Sequence, residues 1–180
     1  MHPKRIIGID PGYAIVGWGV LDYSGNAFKT IAYGALTTSP NLPFEQRLNA
    51  IFDELCQLLE KHSPQGMGLE KLYFTKNVTT GIDVAQARGV IMLAATRYGL
   101  QIGEYTPLQV KQAVVGYGKA EKAQVMQMTK SILALPTLPK PDDTADALAV
   151  AICHAHSNSS YTQAIYKKGG INALLPQRNP

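Results

Sequence analysis

Arg5-Ile6-Ile7-Gly8-Ile9-Asp10-Pro11-Gly12 is the stretch on which the rest of the chain turns. The apolar run Ile6-Ile7-Gly8-Ile9 predicts a buried strand, and Asp-Pro-Gly is turn chemistry. A carboxylate is therefore delivered where a buried strand leaves its sheet, the edge at which open α/β sheets bind ligands. Taken by itself, Asp10 serves equally well as the initiator of the turn.

Working outward, residues 15–23 and 27–37 read as two more strands, joined into a hairpin by Ser24-Gly25-Asn26. Pro43 opens a helix in which Phe44, Leu48, Ile51, Leu55, Leu58 and Leu59 recur at helical spacing until Ser63-Pro64 stops it. Residues 66–70 form a short apolar strand that again ends in a carboxylate, Glu70. A polar segment runs through Thr80. A second helix over residues 84–99 follows, holding Ala87, Val90, Ile91, Ala94 and Ala95, with Gly99 at its end. Residues 101–105 make another strand, and Thr106-Pro107 supplies an N-cap with proline at the first helical position. Gly116-Tyr117-Gly118 interrupts that helix, residues 120–135 form the next, and a proline-rich connector over 136–141 leads to a last helix from about Asp142 to His156. Residues 157–180 carry no sustained period and read as a flexible C-terminal tail. Strands first and helices interleaved afterwards imply an α/β fold, a mixed sheet with helices packed on its faces.

Composition narrows the function classes. The 180 residues suit one domain, read as residues 1–156 plus the tail, and 46% apolar with 17% charged residues is a folding composition. Cys56 and Cys153 are too few and too far apart for a disulfide scaffold or a zinc site, and they read as core fillers in a reduced, cytoplasmic protein. His154 and His156, two apart on a helix, point away from each other and read as surface residues. No apolar run approaches the ~20 residues that span a bilayer, so no membrane association is expected. Seventeen basic against 13 acidic residues give a formal charge of +4, which permits a nucleic-acid partner without requiring one. The surplus is concentrated: Lys71, Lys76, Arg88, Arg97, Lys111, Lys119, Lys122 and Lys130 face only Asp83, Glu104 and Glu121 between residues 71 and 130.

Two more acids complete a pattern. Asp143 and Asp146, three apart, share one face of the last helix, and Asp146 lies inside the apolar run Ala145-Asp146-Ala147-Leu148-Ala149-Val150, where a charge needs a partner or a cation. Asp10 and Glu70 at strand ends and this helical pair can meet at one sheet edge. Four carboxylates that close repel one another unless divalent cations neutralise them, and oxygen-rich sites suit Mg²⁺ or Mn²⁺. That is the layout for two-metal phosphodiester hydrolysis. Neutralising those four acids leaves 17 basic residues against nine.

The same residues carry a resemblance. Gly8-Ile9-Asp10-Pro11-Gly12, Leu69-Glu70-Lys71-Leu72-Tyr73 with Lys76-Asn77, Gln86-Ala87-Arg88-Gly89, Gln109-Val110-Lys111-Gln112 with Val115-Gly116, and Asp143-Thr144-Ala145-Asp146-Ala147-Leu148-Ala149 resemble, in order and spacing over about residues 4–156, the RuvC family of Holliday-junction resolvases. The resemblance implies an RNase H-like fold, a mixed five-stranded sheet with helices on both faces. It implies a homodimeric endonuclease of DNA recombination and repair that makes paired symmetric nicks in four-way junctions, and it implies the RuvA and RuvB branch-migration complex as partner. It also assigns residues. Asp10, Glu70, Asp143 and Asp146 match the carboxylates that hold two Mg²⁺ ions per subunit, with Mn²⁺ able to substitute. Lys122 and Lys111 match basic residues near the scissile phosphate, and Tyr73 stands where an aromatic residue, usually Phe, stacks on a base. Lys76, Asn77, Arg88 and Lys119 are expected among the DNA contacts. Asp142 stands beside Asp143, and alignment to Asp-x-x-Asp-Ala-Leu-Ala favours Asp143 as the ligand. The Ala- and Gly-rich second helix is a candidate dimer interface, or is buried against its own sheet.

Two other readings compete. A non-catalytic junction-binding protein would use the basic segment and Tyr73 but leaves four DNA-repelling acids unexplained. An actin-like ATPase is suggested by Ile9-Asp10-Pro11-Gly12 alone, and the chain is too short for two such lobes.

Overall fold

Five strands build one mixed sheet in the order β3-β2-β1-β4-β5: β1 (Lys4–Asp10), β2 (Ile15–Ser24), β3 (Ala27–Thr37), β4 (Gly66–Glu70) and β5 (Gln101–Tyr105). The structure, a computed structural model, describes residues 3–25, 27–72 and 78–158. β1 pairs antiparallel with β2 and parallel with β4, so the sheet changes sense at its central strand. Helices α1 (Phe44–His62) and α2 (Val78–Arg97) cover one face; α5 (Asp142–Asn158) covers the other, with α3 (Pro107–Val115) and α4 (Lys122–Ile132) packed over it.

The period-two alternation of strands sorts β1 cleanly. Ile7 and Ile9 pack with Ile51, Leu55 and Leu59 of α1 and with Ala87 and Ile91 of α2. Ile6 packs among the residues of α5, and an added Cβ at Gly8 would press on the backbone of Ala147 and Ala151 of that helix. Gly8 is the register partner of Gly19 in β2 and of Gly68 in β4, and Gly68 that of Gly103 in β5. A row of glycine thus crosses four strands. A Cβ at Gly19 would strike Leu148, at Gly68 His154, and at Gly103 both Tyr105 and His154. Side chains removed from this row let α5 lie against bare backbone. Consistent with that, α5 is buried nearly all round: Ala147, Leu148, Ala149, Val150, Ala151 and Ile152 are all close to zero exposure.

Element boundaries follow the sequence reading closely, and three differences stand out. α2 begins at Val78, six residues before the predicted residue 84, since Val-Thr-Thr-Gly has too low a helix propensity for the early start to be read from sequence. α4 is shorter than predicted, starting after Glu121, whose side chain and that of Gln124 form a capping box. α5 runs two residues beyond His156, and residues 159–180 of the predicted tail lie outside the described residues.

His154 is a correction. It is 2% exposed rather than a surface residue, because it follows Val150 by one turn on the face of α5 that meets the glycine row. Its Nδ1 lies 3.0 Å from the Tyr105 hydroxyl. Burial pushes the imidazole down from 6.5 to about 4. The unfolded chain therefore takes up a proton before the folded one does, and the stability held above pH 6.5 is lost as the pH falls from there to about 4. The loss amounts to about 3 kcal/mol. Thermal melts of wild type and His154→Gln across this range should show the acid slope in wild type and a flatter one in the variant; parallel slopes would refute the assignment.

Candidate metal centre

Asp10 and Glu70 are the last residues of the parallel neighbours β1 and β4, one step beyond the register pair Ile9 and Leu69. Each follows a floor glycine, Gly8 or Gly68, by two positions and so faces α5 as they do. The glycine row that seats the helix also fixes where its first turns meet the strand ends. Asp10 pairs across β1 and β2 with Gly17, and a Cβ at Gly17 would run into the backbone carbonyl of Asp143 and lie 3.1 Å from its Cβ. Asp143 is thus seated over the register partner of Asp10, while Asp142 turns outward with its side chain 57% exposed. One turn on, Asp146 is 28% exposed and accepts Lys122 Nζ at 2.9 Å; the same ammonium is 3.6 Å from Asp142. Lys122 is the first residue of α4, so its cation is presented from the layer above α5.

The electrostatics mark the place. Burial, then the charges of Glu70 and Asp146, a hydrogen bond with Glu70 and the charge of Asp143 drive the Asp10 carboxyl up to about 9. Burial also raises Glu70, partly offset by that hydrogen bond, in which Asp10 is the donor. Asp146 is raised by burial against the opposing hydrogen bond and charge of Lys122. Lys122 is held in its charged form chiefly by its hydrogen bond to Asp146. Among the described residues no three His, Cys, Asp or Glu side chains close into a metal cage. Burial and mutual repulsion oppose the anionic form of Asp10, and the Lys122 ammonium faces Asp146. The all-oxygen donor set and its deficit of positive charge both fit hard divalent cations.

The remaining sequence candidates scatter. Lys111 is half-buried on α3, and Lys119 is exposed in the connector before α4. Arg88 on α2 is engaged elsewhere: Nη2 contacts Glu104 Oε1 at 2.7 Å and Nε donates to the Glu70 carbonyl oxygen at 3.3 Å. Tyr73, Lys76 and Asn77 lie outside the described residues. Sequence reasoning did not single out Glu104, an exposed-type acid on a short strand. Nor did it find the glycine row, although Gly17 with Gly19 and Gly66 with Gly68 recur at strand spacing. Among the described residues no helix is long and apolar enough to cross a membrane.

A mixed sheet in this order, with acids at the ends of its central parallel strands and on the helix across them, is the layout of an RNase H-like nuclease. Known proteins narrow the class. The family profile described as Crossover junction endodeoxyribonuclease RuvC matches residues 6–154. The Crossover junction endodeoxyribonuclease RuvC of Ruminiclostridium cellulolyticum is 56% identical over 153 residues, 85% of this chain and 92% of that one. Among solved structures, T. thermophilus RuvC in complex with Holliday junction substrate superposes with a TM-score of 0.81 at 33% identity, covering 84% of this chain and 93% of that one. The yeast mitochondrial Holliday junction resolvase Ydc2, at 12% identity and a TM-score of 0.61 over 92% of this chain and 86% of its own, shares the fold. The chain belongs to the RuvC family of crossover junction endodeoxyribonucleases, which are metal-dependent nucleases.

Proposed function

We propose that this chain resolves four-way DNA junctions as a homodimer, by paired symmetric nicks at two Mg²⁺ ions per subunit, with residues 1–156 as the nuclease domain and the RuvA and RuvB branch-migration complex as partner. The observation that carries the reading is the placement of Asp10 and Glu70 at the ends of neighbouring parallel strands, with Asp143 seated over the register partner of Asp10 and Asp146 one turn along the same helix. Asp10, Glu70, Asp143 and Asp146 are the residues that hold the ions, and Mn²⁺ substitutes for Mg²⁺. When bound, the ions supply activation of a water for in-line attack and charge relief at the departing 3′ oxygen, leaving 5′-phosphate and 3′-hydroxyl ends. The chain's own residues do the rest. Asp10 and Glu70 would hold the ions as carboxylates, and the ions' charge would offset the repulsion that opposes ionising both. Lys122, borne on a rigid helix start, moves its ammonium from Asp146 to the scissile phosphate and stabilises the charge that develops there. Lys111 and Lys119 neutralise flanking phosphates, Tyr73 stacks on a base, and Lys76 and Asn77 contact the backbone nearby.

An end-labelled synthetic four-way junction tests the reading. Wild type with Mg²⁺ should yield two nicked duplexes that ligase seals without end repair; binding without cutting would support the non-catalytic alternative instead. In the same assay Lys122→Ala should slow cleavage about 100-fold, the scale of losing one preorganised donor to a transition-state oxyanion. Its junction affinity should stay within about threefold, since one exposed phosphate contact adds little. Equal losses of binding and cleavage would reduce Lys122 to a contact residue.

A further inference from the structure

Arg88 approaches the acidic edge from behind. It belongs to α2, whose Ala87 and Ile91 pack on the sheet face opposite α5. Its partner Glu104 sits between Gly103 and Tyr105 on β5; both of these face α5, so Glu104 faces α2. The Arg88 side chain is sheltered, 17% exposed, and meets Glu104 at the surface, where that side chain is 34% exposed. Glu104 is also the register partner of Leu69, and Glu70 that of Tyr105. One guanidinium therefore joins α2, β5 and the last carbonyl of β4, through the contacts at 2.7 and 3.3 Å. Just beyond that carbonyl, Lys71 N–H donates to the Tyr105 carbonyl at 2.8 Å, the final rung of the sheet. The peptide that carries Glu70 is thus held from α2 and from β5, while its carboxylate projects toward α5.

We propose that Arg88 is a positioning residue for the Glu70 carboxylate, acting through the Glu104 ion pair and the Glu70 carbonyl, and is not a DNA contact. The inference rests on the reading of Glu70 as a metal ligand. A ligand at a strand end is only as well placed as the peptide that carries it. The fork of an arginine suits this task because Nε and Nη2 reach two acceptors at once, which a lysine ammonium on a flexible stem does not reproduce. The Glu104 carboxylate offsets the Arg88 charge, which lowers its pull on a phosphate.

The test is divalent-metal binding by the full-length, DNA-free protein, followed calorimetrically with Mn²⁺ as the probe, beside junction binding in EDTA. Arg88→Gln should weaken Mn²⁺ binding about 10-fold, the scale of losing a partner that orients a metal ligand. That sign is informative, because removing a nearby positive charge would by electrostatics alone strengthen cation binding. Glu104→Gln should weaken it similarly, and the double variant should be no worse than either single one. Arg88→Lys, which keeps the charge without the fork, should remain weakened. Junction affinity in EDTA should stay within about twofold for all of them. Unchanged Mn²⁺ affinity with a 10-fold loss of junction binding would make Arg88 a phosphate contact and overturn the proposal, as would additive losses in the double variant. If Arg88→Gln does not fold, the near-isosteric Glu104→Gln decides alone, and Mn²⁺ affinity equal to wild type in it is equally fatal. Glu70→Gln separates the two levels: if it binds Mn²⁺ like wild type, the metal-ligand reading fails; if it loses binding while the Arg88 and Glu104 variants keep it, the positioning inference alone fails.

Discussion

Asp10→Asn is expected to leave junction binding in place and to reduce cleavage by at least about 1,000-fold, or about 4 kcal/mol of transition-state stabilisation. Glu70, Asp143 and Asp146 all act on the buried Asp10 carboxyl, so on the metal-ligand reading its loss removes the group around which the set is organised. The same substitution should stabilise the metal-free fold. Burial and three acidic neighbours oppose the Asp10 anion, and the amide keeps the shape and the hydrogen-bond donor toward Glu70 while discarding the charge. A gain of about 1–2 kcal/mol would raise the melting temperature by roughly 3–8 °C for a chain of this size. Added Mg²⁺ should then lift the melting temperature of wild type more than that of the variant, because a ligand stabilises only the form that binds it. Single-turnover cleavage and melts in EDTA and in Mg²⁺ report both effects. An Asp10→Asn protein that cuts at the wild-type rate would remove the metal centre from the mechanism.

The second large effect belongs to the floor beneath α5. Gly8→Ala should destabilise the protein by more than about 4 kcal/mol, because the new methyl overlaps the Ala147 carbonyl and lies 2.5 Å from the Ala151 amide nitrogen. Both obstacles are helix backbone, which cannot swing aside like the end of a side chain. Relief requires lifting α5 off the sheet, and α5 carries Asp143 and Asp146. Any Gly8→Ala protein that still folds should therefore also have lost cleavage. Gly89→Ala is the matched control: that glycine is mid-helix in α2 with nothing within 4 Å of an added Cβ. Its stability should be unchanged or raised by up to about 1 kcal/mol, through helix propensity. Chemical denaturation of the two variants decides the matter, and equal stabilities would refute the role given to the floor.

The acids were legible because each stands at a punctuation mark in the pattern. Asp10 and Glu70 follow apolar runs, and Asp146 interrupts one. Their convergence was legible only as a possibility, since the order β3-β2-β1-β4-β5 that makes Asp10 and Glu70 neighbours is a matter of long-range pairing. The choice between Asp142 and Asp143 rested on resemblance; in the structure it corresponds to a difference in seating, Asp143 over Gly17 and Asp142 outward. His154 was misread because periodicity assigns one buried stripe to a helix, whereas α5 is covered on both sides, by the sheet and by α3 and α4. The Arg88–Glu104 pair was not legible, because a basic residue in a basic segment shows its charge and not its partner. Glu104, which claims that charge, lies on another strand.

The burial of α5 has a consequence for how the enzyme breathes. Segments that open locally are those with few apolar contacts, and their amide protons exchange without unfolding the whole molecule. α5 is the reverse case along its middle, lying on bare backbone below and under two helices above, so its central amides are expected to exchange only when the domain as a whole comes apart. Half of the acidic centre is thereby mounted on the last part of the molecule to open. For the two acids that α5 carries, mutations that lift the helix and mutations that displace the carboxylates are therefore expected to overlap.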